Sequence, residues 1–246
     1  MKVSPLFLVT VAAGLAAFGC APQQPATTEA PPAPEPVREV LTAEAQQALS
    51  PDQVIADLKE GNARFAEGRM INRDYPAQAE ATVPGQFPKA AILGCLDSRV
   101  PPEIIFDQGI GDVFVGRVAG NVEDVNLVGS LEFATKVAGS KAIVVLGHSS
   151  CGAIKGAIDG VELGNLTELL NDFAKPIEKA TGAVEGEVSS KNTALVDYTI
   201  EENVRQTIAD ILEQSPVIAE MAANGEIVVV GAIYDLASGR VTWLDS

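Results

Sequence analysis

Three side chains able to bind a soft metal stand in two short boxes of this chain, Gly94-Cys95-Leu96-Asp97-Ser98-Arg99 and Gly147-His148-Ser149-Ser150-Cys151-Gly152. Thiolate sulfur and imidazole nitrogen are donors that Zn²⁺ prefers, and a catalytic zinc typically takes three protein ligands and keeps a fourth position open. The sequence holds one histidine and three cysteines, so neither a three-histidine nor a four-cysteine site can be built from it. Cys95, His148 and Cys151 are then nearly forced as the ligand set for a single Zn²⁺. His148 and Cys151 are close enough in sequence to aim at one ion from a strand-to-helix turn. Cys95 comes from a different strand, so the site exists only in the folded chain.

Each box follows an apolar run of strand character, residues 91–94 and 142–146. A further strand is expected at 113–117, a helix at 125–138, and another helix starting near Gly152. The β-β-α-β-α order, with strands apolar throughout rather than alternating, predicts an α/β fold: a mainly parallel central sheet flanked by helices. Sites in such sheets lie beyond the carboxyl ends of the strands, where both boxes fall. Ser50-Pro51-Asp52-Gln53 reads as a capped helix start, with Val54, Ile55, Leu58 and Phe65 at helical spacing behind it. Residues 163–180 and 193–212 read as helices around a polar loop at 181–192. Residues 226–234 and 240–244 read as a C-terminal antiparallel hairpin turning at Ser238-Gly239.

The pairing of C-x-D-S-R after one strand with H-x-x-C-G after another resembles the beta-class carbonic anhydrases. The similarity extends through Gly85-Gln86-Phe87-Pro88-Lys89 before the first box, and through Asp112-Val113-Phe114-Val115-Gly116-Arg117 and Ala119-Gly120-Asn121 after it. It runs from about Gln86 to Gly152.

The resemblance implies one Zn²⁺ per chain and reversible hydration of CO2 to bicarbonate and a proton. Zinc lowers the pKa of a bound water from 15.7 to about 7, giving the attacking hydroxide, a value that belongs to a carbonic anhydrase of the three-histidine type. Two thiolates donate more charge than imidazoles, which points to activity favouring higher pH. The resemblance also implies two states for Asp97: a fourth zinc ligand, or a partner of Arg99 that accepts a hydrogen bond from the metal's water. Gln86 falls where the family places an amide that binds substrate in the neighbouring subunit. Phe114, Phe133 and Gly152 fall where the family lines the substrate pocket. The partners implied are CO2 and bicarbonate and a second copy of the chain, in a homodimer or homotetramer. Val118 stands where many members have asparagine, and no histidine is left over to shuttle protons. Three other readings stand beside this one: a hydrolase of carbon disulfide or carbonyl sulfide on the same scaffold, a non-enzymatic zinc domain closed by Asp97, and a Cys95/Cys151 redox dithiol.

Residues 1–19, with Lys2 followed by an uncharged apolar run, read as a signal peptide, since about 20 apolar residues are needed to span a bilayer. Cys20 stands where a lipoprotein signal places its acylated cysteine. Residues 20–39, rich in Pro and Ala, read as a disordered tether, and 40–246 as the catalytic domain. The expected location is therefore periplasmic, anchored through lipidated Cys20. A net charge of −16 with no basic stripe excludes nucleic acid as a partner.

Overall fold

A computed structural model describes residues 35–245. The signal segment, Cys20 and the tether up to residue 34 lie outside the described residues. The described residues open with three helices, α1 (Ala43–Ala48), α2 (Pro51–Ala66) and α3 (Tyr75–Ala81), and then enter strand β1 (Ala90–Cys95). The short helix α4 (Pro102–Ile105), β2 (Val113–Val118), α5 (Val125–Glu132) and β3 (Ala142–His148) follow. After them come α6 (Gly152–Ile158), α7 (Gly164–Asn171), α8 (Ala174–Ala183), α9 (Thr193–Gln214) and α10 (Pro216–Ala223), and the chain closes with β4 (Val228–Tyr234) and β5 (Val241–Trp243).

The sheet order is β2-β1-β3-β4-β5. The first three pairings are parallel and β4 pairs β5 antiparallel, as the sequence leads one to expect. Both β1 and β3 are buried along their whole length, because helices cover both faces of the sheet. Alternate residues serve the two faces. Ile92, Val144 and Leu146 pack with Val54 and Leu58 of α2 and with Phe106, while Leu93, Ile143 and Val145 pack with Val128, Val204, Ile211 and Ile218 of α5, α9 and α10. Each fully buried aliphatic side chain of this kind contributes about 1.5–3 kcal/mol. The apolar face of α2 is thus filled by this chain's own sheet. Its start is built as the sequence predicts: Ser50 Oγ accepts from Gln53 N–H, and the Gln53 side chain accepts from Ser50 N–H.

Three differences have local causes. The expected helix at 163–180 is broken into α7 and α8, since Pro176 has no N–H to donate to Asp172 and its ring would collide with that carbonyl in an unbroken helix. Buried Phe173 turns inward at the break. Helix α10 is additional: Ser215 ends α9 and its hydroxyl accepts from Ile218 N–H, with Pro216 at the first helical position. Cys95 and His148 sit on the final residues of β1 and β3 rather than in loops beyond them, so the sheet itself fixes their backbones.

Candidate metal centre

The ends of β1 and β3 are neighbours in the sheet, which brings Cys95 and His148 together, and the turn after β3 returns Cys151 to them. Ser150 makes that turn in the left-handed region, at φ 57°. Cys151 then stands immediately before α6. The two sulfurs are 4.0 Å apart, and the three ligand atoms lie within 4.8 Å of one another. Tetrahedral zinc with Zn–S near 2.3 Å sets two sulfurs about 3.8 Å apart, so the spacing fits that ion. All three residues are buried.

The donors are aimed by their surroundings. His148 Nδ1 is 3.0 Å from the Ser149 carbonyl. A carbonyl only accepts, so Nδ1 carries the proton and Nε2 presents its lone pair; Nε2 is buried and has no hydrogen-bond partner among the described residues. Such an orphaned nitrogen beside two sulfurs is what a metal ligand leaves behind. Cys95 Sγ accepts from the N–H groups of Asp97, at 3.4 Å, and Gly120, at 3.3 Å. The Cys151 thiol, His148 and these two N–H groups together outweigh burial and lower the Cys95 pKa to about 4. Cys151 is pushed up, because it holds the proton shared with Cys95 and is itself buried. Metal binding has to displace that proton.

Asp97 is turned away from the cluster. Its Oδ1 accepts from Arg99 Nε and from the Arg99 backbone N–H, each at 2.9 Å, and its Oδ2 accepts from Arg99 Nη2 at 2.7 Å. This fork holds the carboxyl well below the usual carboxylate range. Oδ2 is 3.9 Å from His148 Nε2, near enough to close on a metal were the fork released.

The remaining residues singled out from the sequence are placed elsewhere within one chain. Phe114 and Phe133 meet edge to face at 6.2 Å and line a 200 Å³ cavity with Leu93 and Leu127. Phe114 is paired with Ala91, four rows from Cys95, or about 13 Å at 3.3 Å per residue. Gln86 is exposed and precedes β1, at the end of that strand remote from Cys95. Gly152 opens α6, with free space where a Cβ would stand.

Sequence reasoning missed residues that act through the backbone. Arg117 on β2 donates from Nε to the Cys95 carbonyl at 2.9 Å and from Nη2 to the Asp97 carbonyl. Asn203, buried on α9, donates to the Gly120 carbonyl at 2.8 Å and so holds, from its other side, the residue whose N–H reaches Cys95. An asparagine on the mostly apolar face of α9, flanked there by Thr199 and Thr207, was the one signal available for it.

Fold and site together define an α/β protein with a Cys₂His metal cluster at the carboxyl ends of its parallel strands. The model of the family described as carbonic anhydrase matches residues 90–241. Carbonic anhydrase 2 of Mycobacterium tuberculosis is 39% identical over 195 residues, covering 76% of this chain and 90% of the relative. A beta-carbonic anhydrase of Aspergillus fumigatus superposes with a TM-score of 0.63 at 27% identity, covering 79% of this chain and 90% of that one. A tetrameric beta-carbonic anhydrase of Sordaria macrospora superposes at 0.62 with 28% identity, covering 79% and 98%. The chain belongs to the beta-class carbonic anhydrases.

Proposed function

We propose that the protein binds one Zn²⁺ through Cys95, His148 and Cys151 and catalyses the reversible hydration of CO2. The observation that carries this is the convergence of two sulfurs with an unpartnered imidazole nitrogen, while the nearest carboxylate is held back from the fourth position. Bound there, zinc supplies an acidified water for addition to CO2. Cys95 and Cys151 bring the negative charge that balances the ion, and the Ser149 carbonyl keeps the proton of His148 on Nδ1. Asp97, kept ionised by Arg99, would accept a hydrogen bond from that water and orient it. Arg117, bonded to the Asp97 carbonyl, ties down the loop that carries Asp97 and Arg99.

Gln86 cannot serve the site of its own chain from the far end of β1. A second copy, in a homodimer or a homotetramer, is therefore part of the proposal, and brings Gln86 and the Phe114/Phe133 wall to each site. The tetrameric Sordaria macrospora relative supports this. Export, with lipidation at Cys20, completes the reading and is tested by metabolic labelling with a fatty acid.

Stopped-flow CO2 hydration on the wild type and Arg99→Ala tests the catalytic part. Arg99→Ala is expected to retain zinc and lose turnover as Asp97 swings onto the fourth position. Full turnover in that variant contradicts the role given to the fork. A zinc-loaded wild type inert toward CO2 favours carbon disulfide or carbonyl sulfide as the substrate.

A further inference from the structure

We propose that Ser149 and Asp235 are positioning residues for the metal's histidine, holding the Ser149 carbonyl against His148 Nδ1–H so that Nε2 stays aimed at the ion. The inference rests on the zinc-binding reading above and adds two residues to it.

The Ser149 carbonyl is the only partner of His148 Nδ1 among the described residues, so the direction of one peptide group decides how the imidazole is held. That peptide is in its less comfortable orientation. Ser150, on its far side, has a φ of 57°, a region that residues with a Cβ rarely occupy. Turning the peptide by half a turn would bring φ of Ser150 to about −120°, an ordinary extended value. The same turn would carry the carbonyl off Nδ1.

Ser149 itself is anchored at three points, which fixes the Cα from which that carbonyl departs and so keeps it within reach of Nδ1. Its N–H donates to the Tyr234 carbonyl at 2.9 Å, extending the β3 to β4 ladder by one residue. Its hydroxyl donates to Asp235 Oδ1 at 3.2 Å and accepts from Leu236 N–H at 3.0 Å. Asp235 is in turn pinned by Ala237 N–H at 3.2 Å and by Ser238, whose N–H lies at 3.0 Å and hydroxyl at 2.6 Å. The turn between β4 and β5 is thereby tied to the metal's histidine through one serine. A group that fixes the far nitrogen of a ligating imidazole typically alters metal affinity by about 10–100-fold when removed.

The test follows zinc transfer from the purified, zinc-loaded protein to a chromogenic chelator, together with the visible spectrum of the Co²⁺-substituted form and the melting temperature of the metal-free form. Ser149→Ala and Asp235→Ala are expected to release zinc about 10–100-fold faster, with an altered Co²⁺ spectrum and little change in the metal-free melting temperature. Asp235→Asn, whose amide oxygen can accept the same hydrogen bond, is expected to stay close to the wild type. Adding Ser150→Gly to Ser149→Ala is expected to recover part of the loss, because glycine tolerates the left-handed conformation and removes the drive to turn the peptide. Wild-type release rates in both alanine variants would overturn the inference. So would a parallel fall in metal-free stability that Asp235→Asn fails to rescue, which is the mark of a purely structural contact. A wild type that binds no zinc would overturn the proposed function, and this inference with it.

Discussion

Gly120→Ala puts the coupling between packing and the metal centre to a quantitative test. Gly120 has a φ of 74°, and a Cβ built on it comes 2.3 Å from Cζ and 2.7 Å from Cε1 of Phe173. Phe173 is fully buried in the cluster that also holds Cys95 and Cys151, so its ring cannot swing into solvent. The left-handed backbone costs about 1–2 kcal/mol once a Cβ is present, and overpacking a close-packed core costs about 1–3 kcal/mol more. Their sum, about 2–5 kcal/mol, is a large part of the 5–15 kcal/mol that holds a typical domain together. The variant should fold, with its urea midpoint lowered accordingly at an unchanged slope. Relief of the clash must also move the Gly120 N–H from Cys95 Sγ, so zinc affinity is expected to fall with stability. In a Phe173→Leu background the steric part disappears, and the cost of Gly120→Ala shrinks to the backbone part of about 1–2 kcal/mol. A Gly120→Ala protein as stable as the wild type, or one that loses the same stability in both backgrounds, refutes this explanation of why glycine stands there.

Asp107 is fully buried, pairs with Arg64 at 2.6 Å and with Arg73, and accepts from Ile71 N–H at 3.2 Å; Asp107→Asn leaves two guanidinium groups without their counter-charge and should cost about 3–5 kcal/mol in urea unfolding. Glu123 is raised above its ordinary value by burial and by the nearby Asp210 and Asp172, against the pull of a Gln214 hydrogen bond. Its folded form therefore binds a proton more tightly than its unfolded form, and the stability it contributes is present at low pH and lost as pH rises from the ordinary carboxylate value through the folded one. Glu123→Gln should be more stable than the wild type at pH 7 and should converge with it below pH 4.5, the ordinary value, in a series of denaturation curves.

Much of this was legible in the residues. Strands buried on both faces read as unbroken apolar runs, which made β1 and β3 visible, and the parallel order put both ligand boxes at one edge of the sheet. With one histidine in the chain, the ligand set followed by elimination. The capping box at Ser50 was equally plain, because its three residues are local. What escaped depends on partners far away in sequence. Ser149 meets Asp235, and Asn203 meets Gly120, only after the sheet has closed. Asp107 meets Arg64 and Arg73, more than thirty residues earlier in the chain, only in the folded protein. The break between α7 and α8 was written in Pro176, and the start of α10 in Ser215-Pro216, but helical apolar spacing masked the first.

Metal analysis and CO2 hydration, measured on the same preparations of the wild type and Cys151→Ala, test the central claim most directly. One zinc per chain and rapid hydration are expected in the wild type, with both lost together in the variant. Hydration that persists in Cys151→Ala without bound zinc would contradict the claim.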